Sequence, residues 1–162
     1  MDAVTERIVY DESVRVMASQ EDVLTGLRGR AGTLLAAASL VTAFLAPAAL
    51  EARDPKTHEL VRQFDALAWI ATGSFVAVVI AALVVLWPYD WIFGHSSHDL
   101  MDQLLDAKPP ADEATVPRHL AYYNDENHTT NAAKLGRLLL AFEIGCILLT
   151  VEIGVWLAAL AN

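Results

Sequence analysis

Charges are missing from two long stretches of this chain. Ala31 to Leu50 is 20 residues without Asp, Glu, Lys or Arg, and Ala66 to Trp87 is 22 more. A bilayer core about 30 Å thick needs roughly 20 helical residues at about 1.5 Å each. Neither stretch carries the polar stripe of a surface helix in a soluble bundle. A chain of 162 residues also has little material with which to bury both on every side. Both therefore read as membrane spans.

A third stretch, Leu138 to Ala161, contains two acids, Glu143 and Glu152, among thirteen Leu, Ile, Val and Phe residues. Those apolar residues favour insertion by about 4 to 8 kcal/mol, against about 3 kcal/mol for one central acid. Insertion wins, and a third span is expected.

The basic residues set the expected orientation. Arg7, Arg15, Arg28 and Arg30 precede the first span, and Lys108, Arg118, Lys134 and Arg137 follow the second. The intervening loop holds Arg53, Lys56 and Arg62, so eight basic residues face three. The positive-inside rule places the N-terminus in the cytoplasm and Asn162 outside. The net charge of −9 opposes a nucleic-acid partner, which would need a basic face. A cleaved signal peptide is not expected, because a 30-residue acidic leader would precede the first apolar run. Cys146, the single cysteine, excludes an internal disulfide and reads as a small packing residue.

Residues 1–30 form an expected cytoplasmic amphipathic helix, with Val16, Met17, Val23, Leu24 and Leu27 at helical spacing and Gln20 interrupting the stripe. Asp11 or Ser13 is the expected cap, and Gly26, Gly29 and Gly32 permit a bend. The first span is then residues 31–50 and the second 66–87, joined by a short loop with an Asp54-Pro55 turn signal into an antiparallel hairpin. Residues 88–137 make a cytoplasmic loop and helix, and 138–161 the third span. Ser96 to Ala107 reads as a short amphipathic helix. A long helix is expected to start at Thr115-Val116-Pro117 and run to Ala161. The predicted fold is all-α: a single membrane domain of three transmembrane helices with a cytoplasmic stalk made of two long helix extensions.

Glu152 lies near the middle of the third span, where an acid is costly and faces protein or water. It shares a stripe with Ala141, Gly145, Leu148 and Ala159. One reading is a proton or ion site, or a pore-lining acid; the other is a structural hydrogen bond to Ser39 or Thr42. Glu143 is about 900° of helical turn away and so faces the other side, with Ile147, Thr150 and Gly154. That second face points to a homo-oligomer, and an ion pair of Glu143 with Arg28 or Arg30 is the alternative. Gly32, Ala36, Ser39 and Ala43 form one small-residue stripe, and Gly73, Ala77 and Ala81 another; both read as packing surfaces.

Arg28, Arg30, Trp87 and Trp91 are expected interfacial anchors. Asn124, Asn127 and Asn131 share one face of the stalk, where buried Asn sets register; a solvated face is the alternative. Tyr122 and Tyr123 are expected to pack on the N-terminal helix. His95, His98, Asp99 and Asp102 have ligand-like spacing without completing a metal motif. No phosphate loop, nucleophile elbow or zinc motif occurs, so neither enzyme activity nor a cofactor is expected.

The run Arg28-Gly29-Arg30-Ala31-Gly32-Thr33-Leu34-Leu35 closes an amphipathic helix and opens the hairpin, and Trp87-Pro88 through Phe93 ends it. A long polar helix with Tyr122, Tyr123 and Asn131 then leads into the last apolar run. This layout resembles the transmembrane domain of Pycsar-type antiphage effectors and of small bacterial multi-helix membrane proteins like them. The resemblance implies a membrane-perturbing role in antiviral defence, triggered by a cyclic pyrimidine nucleotide from a partner nucleotide cyclase. No separate nucleotide-binding β-roll is expected within these 162 residues. The expected partners are therefore the lipid bilayer, further copies of the chain and a cyclase or its product. The alternatives are a small proton-coupled transporter or channel using Glu152, and a membrane scaffold without intrinsic activity.

Overall fold

The computed structural model describes residues 3–53, 60–62, 66–94 and 115–161. Three long helices dominate: α1 (Ala3–Leu50), α2 (Ala66–Leu86) and α3 (Val116–Ala161). All three are long and apolar enough to cross a membrane. At 21 residues, α2 is about 31 Å long, the thickness of a hydrocarbon core. Among the described residues the protein is all-α apart from a two-stranded antiparallel ribbon, β1 (Glu51–Arg53) and β2 (Leu60–Arg62), with Glu51 opposite Arg62 and Arg53 opposite Leu60. The sequence predicts a loop over this stretch. No hydrophobic alternation marks a three-residue strand, and only the pairing defines it.

Helix α1 covers the helix expected within residues 1–30 and runs on without a break through 31–50. It begins at Ala3, not at a cap on Asp11 or Ser13. Glu6 in the first turn complements the helix dipole, and the Ser13 hydroxyl donates to Tyr10 O, 2.7 Å away, inside the helix. Gly26, Gly29 and Gly32 lie within continuous helix. Pro47 sits in the last turn, where its missing N–H removes only one bond before α1 ends. Helix α2 stops at Leu86, one residue before the expected boundary, and Pro88 follows. Helix α3 starts at Val116, with the His119 amide donating to Thr115 O.

The chain divides into two compact units. The first comprises residues 1–26 and 88–136, the second residues 27–87 and 137–162. Helices α1 and α3 contribute to both.

In the first unit, Ser13 meets Asn124 and Gln20 meets His128, pairs separated by 111 and 108 residues. A near-constant offset means that the two helices run parallel. In the second unit, Thr42 meets Glu152 at an offset of 110, so α1 and α3 are parallel there too. Helix α2 is antiparallel to α1. Val78 packs with Leu34 and Ala38, whereas Ala68 and Ala71 pack at the level of Val41 to Leu50. An up-down-up order follows, as three successive crossings require.

The buried positions have a heptad period. On α1 they are Met17, Gln20, Leu24, Leu27, Ala31, Leu34 and Ala38, alternating steps of three and four. On α3, Asn124, Asn131, Leu138, Gly145 and Glu152 are buried at every seventh position. A period of about 3.5 residues is that of left-handed coiled-coil packing. Gly145 is required for it. A Cβ there would stand 2.8 Å from Leu34 Cδ2 and 3.3 Å from the Ala81 Cβ.

Candidate functional site

The second unit is built around Glu152. Leu34, Ala38 and Val78 pack with Phe75, Phe142, Cys146, Leu148 and Leu149. Further along, Trp156 packs with Ala68 and Ala71 and with Val41, Leu45, Ala46 and Ala49. Glu152 lies on the same face of α3, one turn before Trp156, and has no exposed surface. The Thr42 hydroxyl donates to Glu152 Oε1 across 2.6 Å. Of the two partners considered from the sequence, the structure selects Thr42; the Ser39 hydroxyl donates instead to Leu35 O in its own helix. Glu152 Oε2 and Trp156 Nε1 are buried without a hydrogen-bond partner. A carboxyl in this setting can hold or exchange a proton; Thr42 is bonded to it, and Trp156 Nε1 is a buried donor four residues along the same helix.

Glu143 has a different environment. It is exposed, as are Ile147, Thr150 and Gly154 on its stripe. The alternative ion pair is absent: among the described residues no hydrogen bond or ion pair reaches its carboxylate. Arg28 instead donates to Trp87 O at 3.4 Å, and Arg30 is exposed. The two small-residue stripes also divide. Gly32, Ala36, Ser39 and Ala43 are all exposed, so the first stripe packs on nothing within the chain. On α2, Ala81 is buried, Ala77 half-buried and Gly73 exposed.

In the first unit the Asn face turns inward. Asn124, Asn127 and Asn131 are all buried. Asn124 Nδ2 donates to Ser13 Oγ at 2.9 Å. Asn131 holds the segment after α2 at two points: its Nδ2 donates to Ile92 O at 2.9 Å, and its Oδ1 lies 3.5 Å from the Ile92 amide. Lys134 Nζ donates to Asp90 O at 2.6 Å and stands over the Trp91 ring, which stacks on Phe93. Tyr123 is half-buried. Tyr122 departs from expectation: it points outward, 67% exposed, with the Arg118 guanidinium over its ring. The inward positions on this turn are taken by Ala121 and Asn124, which turns the intervening Tyr122 outward.

Three contributors escaped the sequence reading. Trp156 could have been found as the residue four positions after Glu152 on an inward face. Gln20 was visible as a polar break in an apolar stripe; it donates to His128 O at 3.0 Å. Lys134 gave no signal, because its partner is a backbone carbonyl. The pattern His95, His98, Asp99 and Asp102, and the segment Ser96 to Ala107, lie outside the described residues.

Set against known proteins, the chain matches no family model, no curated protein and no solved structure.

Proposed function

We propose that this chain is a multi-pass bacterial membrane protein that works as an assembly of copies, perturbing the bilayer when triggered. The observation that carries the assembly is Glu143. It projects from the outer face of an apolar helix among exposed Leu140, Ile144 and Ile147, with no partner among the described residues. An acid facing lipid is disfavoured by several kcal/mol toward the bilayer centre. A second copy covering the Glu143, Ile147, Thr150 and Gly154 face removes that cost. The proposed orientation puts the N-terminus in the cytoplasm, where the first unit receives the trigger. The resemblance to Pycsar-type effectors supports a cyclic nucleotide from a partner cyclase as that trigger, and no catalytic role is assigned to the chain.

Crosslinking in native membranes tests the assembly. Single cysteines at Thr150 or Gly154, in a Cys146→Ala background, are expected to give crosslinked dimers or larger species. Monomer alone at every expression level overturns the assembly. A membrane-potential dye during induced expression tests the effector role. Unchanged potential and growth with a co-expressed cyclase would reject it.

The burial of Glu152 against Thr42 favours a second reading, proton-coupled transport. Glu152→Gln is then expected to abolish flux in proteoliposomes while leaving folding intact.

A further inference from the structure

We propose that Thr42, Glu152 and Trp156 form a proton-exchanging site inside the second unit, with Thr42 and Trp156 as the donors that hold the deprotonated carboxylate. The site deepens the transport reading, and proton binding is measured at equilibrium, separately from flux.

The argument starts from what surrounds the carboxyl. Residues 31–50 of α1 and the whole of α2 contain no Asp, Glu, Lys, Arg, His, Tyr or Cys. On α3 the nearest titratable groups are Glu143, which is exposed on another face, and Cys146, which packs with Leu34, Ala38 and Val78. Among the described residues no cation pairs with Glu152. An unpaired buried charge is strongly disfavoured, so apolar packing suits the neutral acid.

The hydrogen-bonding groups favour the opposite state. Thr42 already directs its hydroxyl proton at Oε1. The indole Nε1–H of Trp156 is a donor only, 1% exposed as a residue and without a partner, one turn along the same inward face. Glu152 Oε2 likewise has no partner. A neutral acid can donate its own O–H to Thr42 Oγ1, which accepts as well as donates, but hydroxyl and indole donors bond a charged carboxylate more strongly than a neutral acid. A carboxylate would use them: Oε1 accepts from Thr42, and Oε2 accepts from Trp156 directly or through one water. Packing holds the proton on and the donors help it off.

The exchange itself is simple. The O–H bond at Oε2 breaks, the electron pair stays on the carboxylate and the proton passes to a water molecule. Uptake reverses each step. Because Thr42 belongs to α1 and Glu152 to α3, each proton changes the charge of the seam that joins the two parallel helices.

Infrared difference spectroscopy on the full chain in lipid, stepped from mildly acid to alkaline buffer, reads this site. One protonated-carboxyl band, assigned by its loss in Glu152→Gln, is expected to disappear on alkalinisation in the wild type. In Trp156→Phe, which keeps the aromatic bulk and removes the donor, the band is expected to persist. Should Glu152→Gln fail to fold, Glu152→Asp assigns the band by shifting it. A band unchanged at every pH in the wild type overturns the proposal, as does wild-type titration in Trp156→Phe. Flux measured on the same preparations separates the readings. A titrating band without flux rejects transport and keeps the site; flux with a constant band rejects the site.

Discussion

Single residues set the terms on which these helices approach one another. Gly145 is the clearest case, because a Cβ there meets a side chain from α1 and another from α2. Gly145→Ala should lower stability by about 1 to 3 kcal/mol, the usual cost of overpacking a close contact. Gly73→Ala has open space and should hold stability or raise it by up to about 1 kcal/mol, through helix propensity alone. Thermal unfolding in detergent, followed by circular dichroism, compares the two. Thr42 makes a second test. Thr42→Val keeps the shape and leaves Glu152 Oε1 without its donor, at a cost of about 1 to 3 kcal/mol. Thr42→Ser keeps the hydroxyl and should retain most of the stability. Equal losses in both would mean that packing, and not the hydrogen bond, is what Thr42 contributes.

Among the elements, the parallel pairing of α1 and α3 is the organising relation. Its polar positions act as register marks: Ser13 with Asn124, Gln20 with the His128 carbonyl, Thr42 with Glu152. An apolar seam alone tolerates slippage, whereas a displaced Asn or Glu loses its partner in a place without water. Cysteines introduced at Ser13 and Asn124 should therefore join through a short bifunctional reagent. A pair at Ser13 and Thr150, the arrangement of an antiparallel pairing, should not. The segment after α2 is held in a similar way by Asn131 and Lys134. Replacing Asn131 with Ala should speed amide hydrogen exchange across 88–94, with little change in the second unit. Unaltered exchange at Ile92 would show that Lys134 and the Trp91–Phe93 stack suffice.

At the scale of the whole molecule, three helices long and apolar enough to span a membrane come in up-down-up order. Their outward residues include Leu40, Phe44, Trp69, Ile80, Leu140 and Ile147, all more than half exposed. In water this surface would drive aggregation; in lipid it is the ordinary outer face of a bundle. The chain should sediment with membranes and leave them only with detergent. Reporter fusions after Phe93 and after Ala161 should fall on opposite sides, the first in the cytoplasm. The same side for both would remove the third span.

Much of this was legible from placement alone. Two charge-free runs of span length and a third apolar run carrying two acids fix three apolar helices, because hydrocarbon admits no other way of satisfying the backbone of a single isolated segment. Pro88 and the Val116-Pro117 pair mark helix boundaries through the chemistry of one ring. What the chain could not announce was which faces meet. Glu143 and Glu152 are the same residue type in the same helix, yet one is exposed and the other fully buried against α1. The small stripe on α1 looked like a packing surface and lies uncovered, while Gly145 is filled by two neighbours. The choice depends on the rotation of each helix about its axis. Side chains from the other helices set that rotation, and no periodicity within one helix contains it.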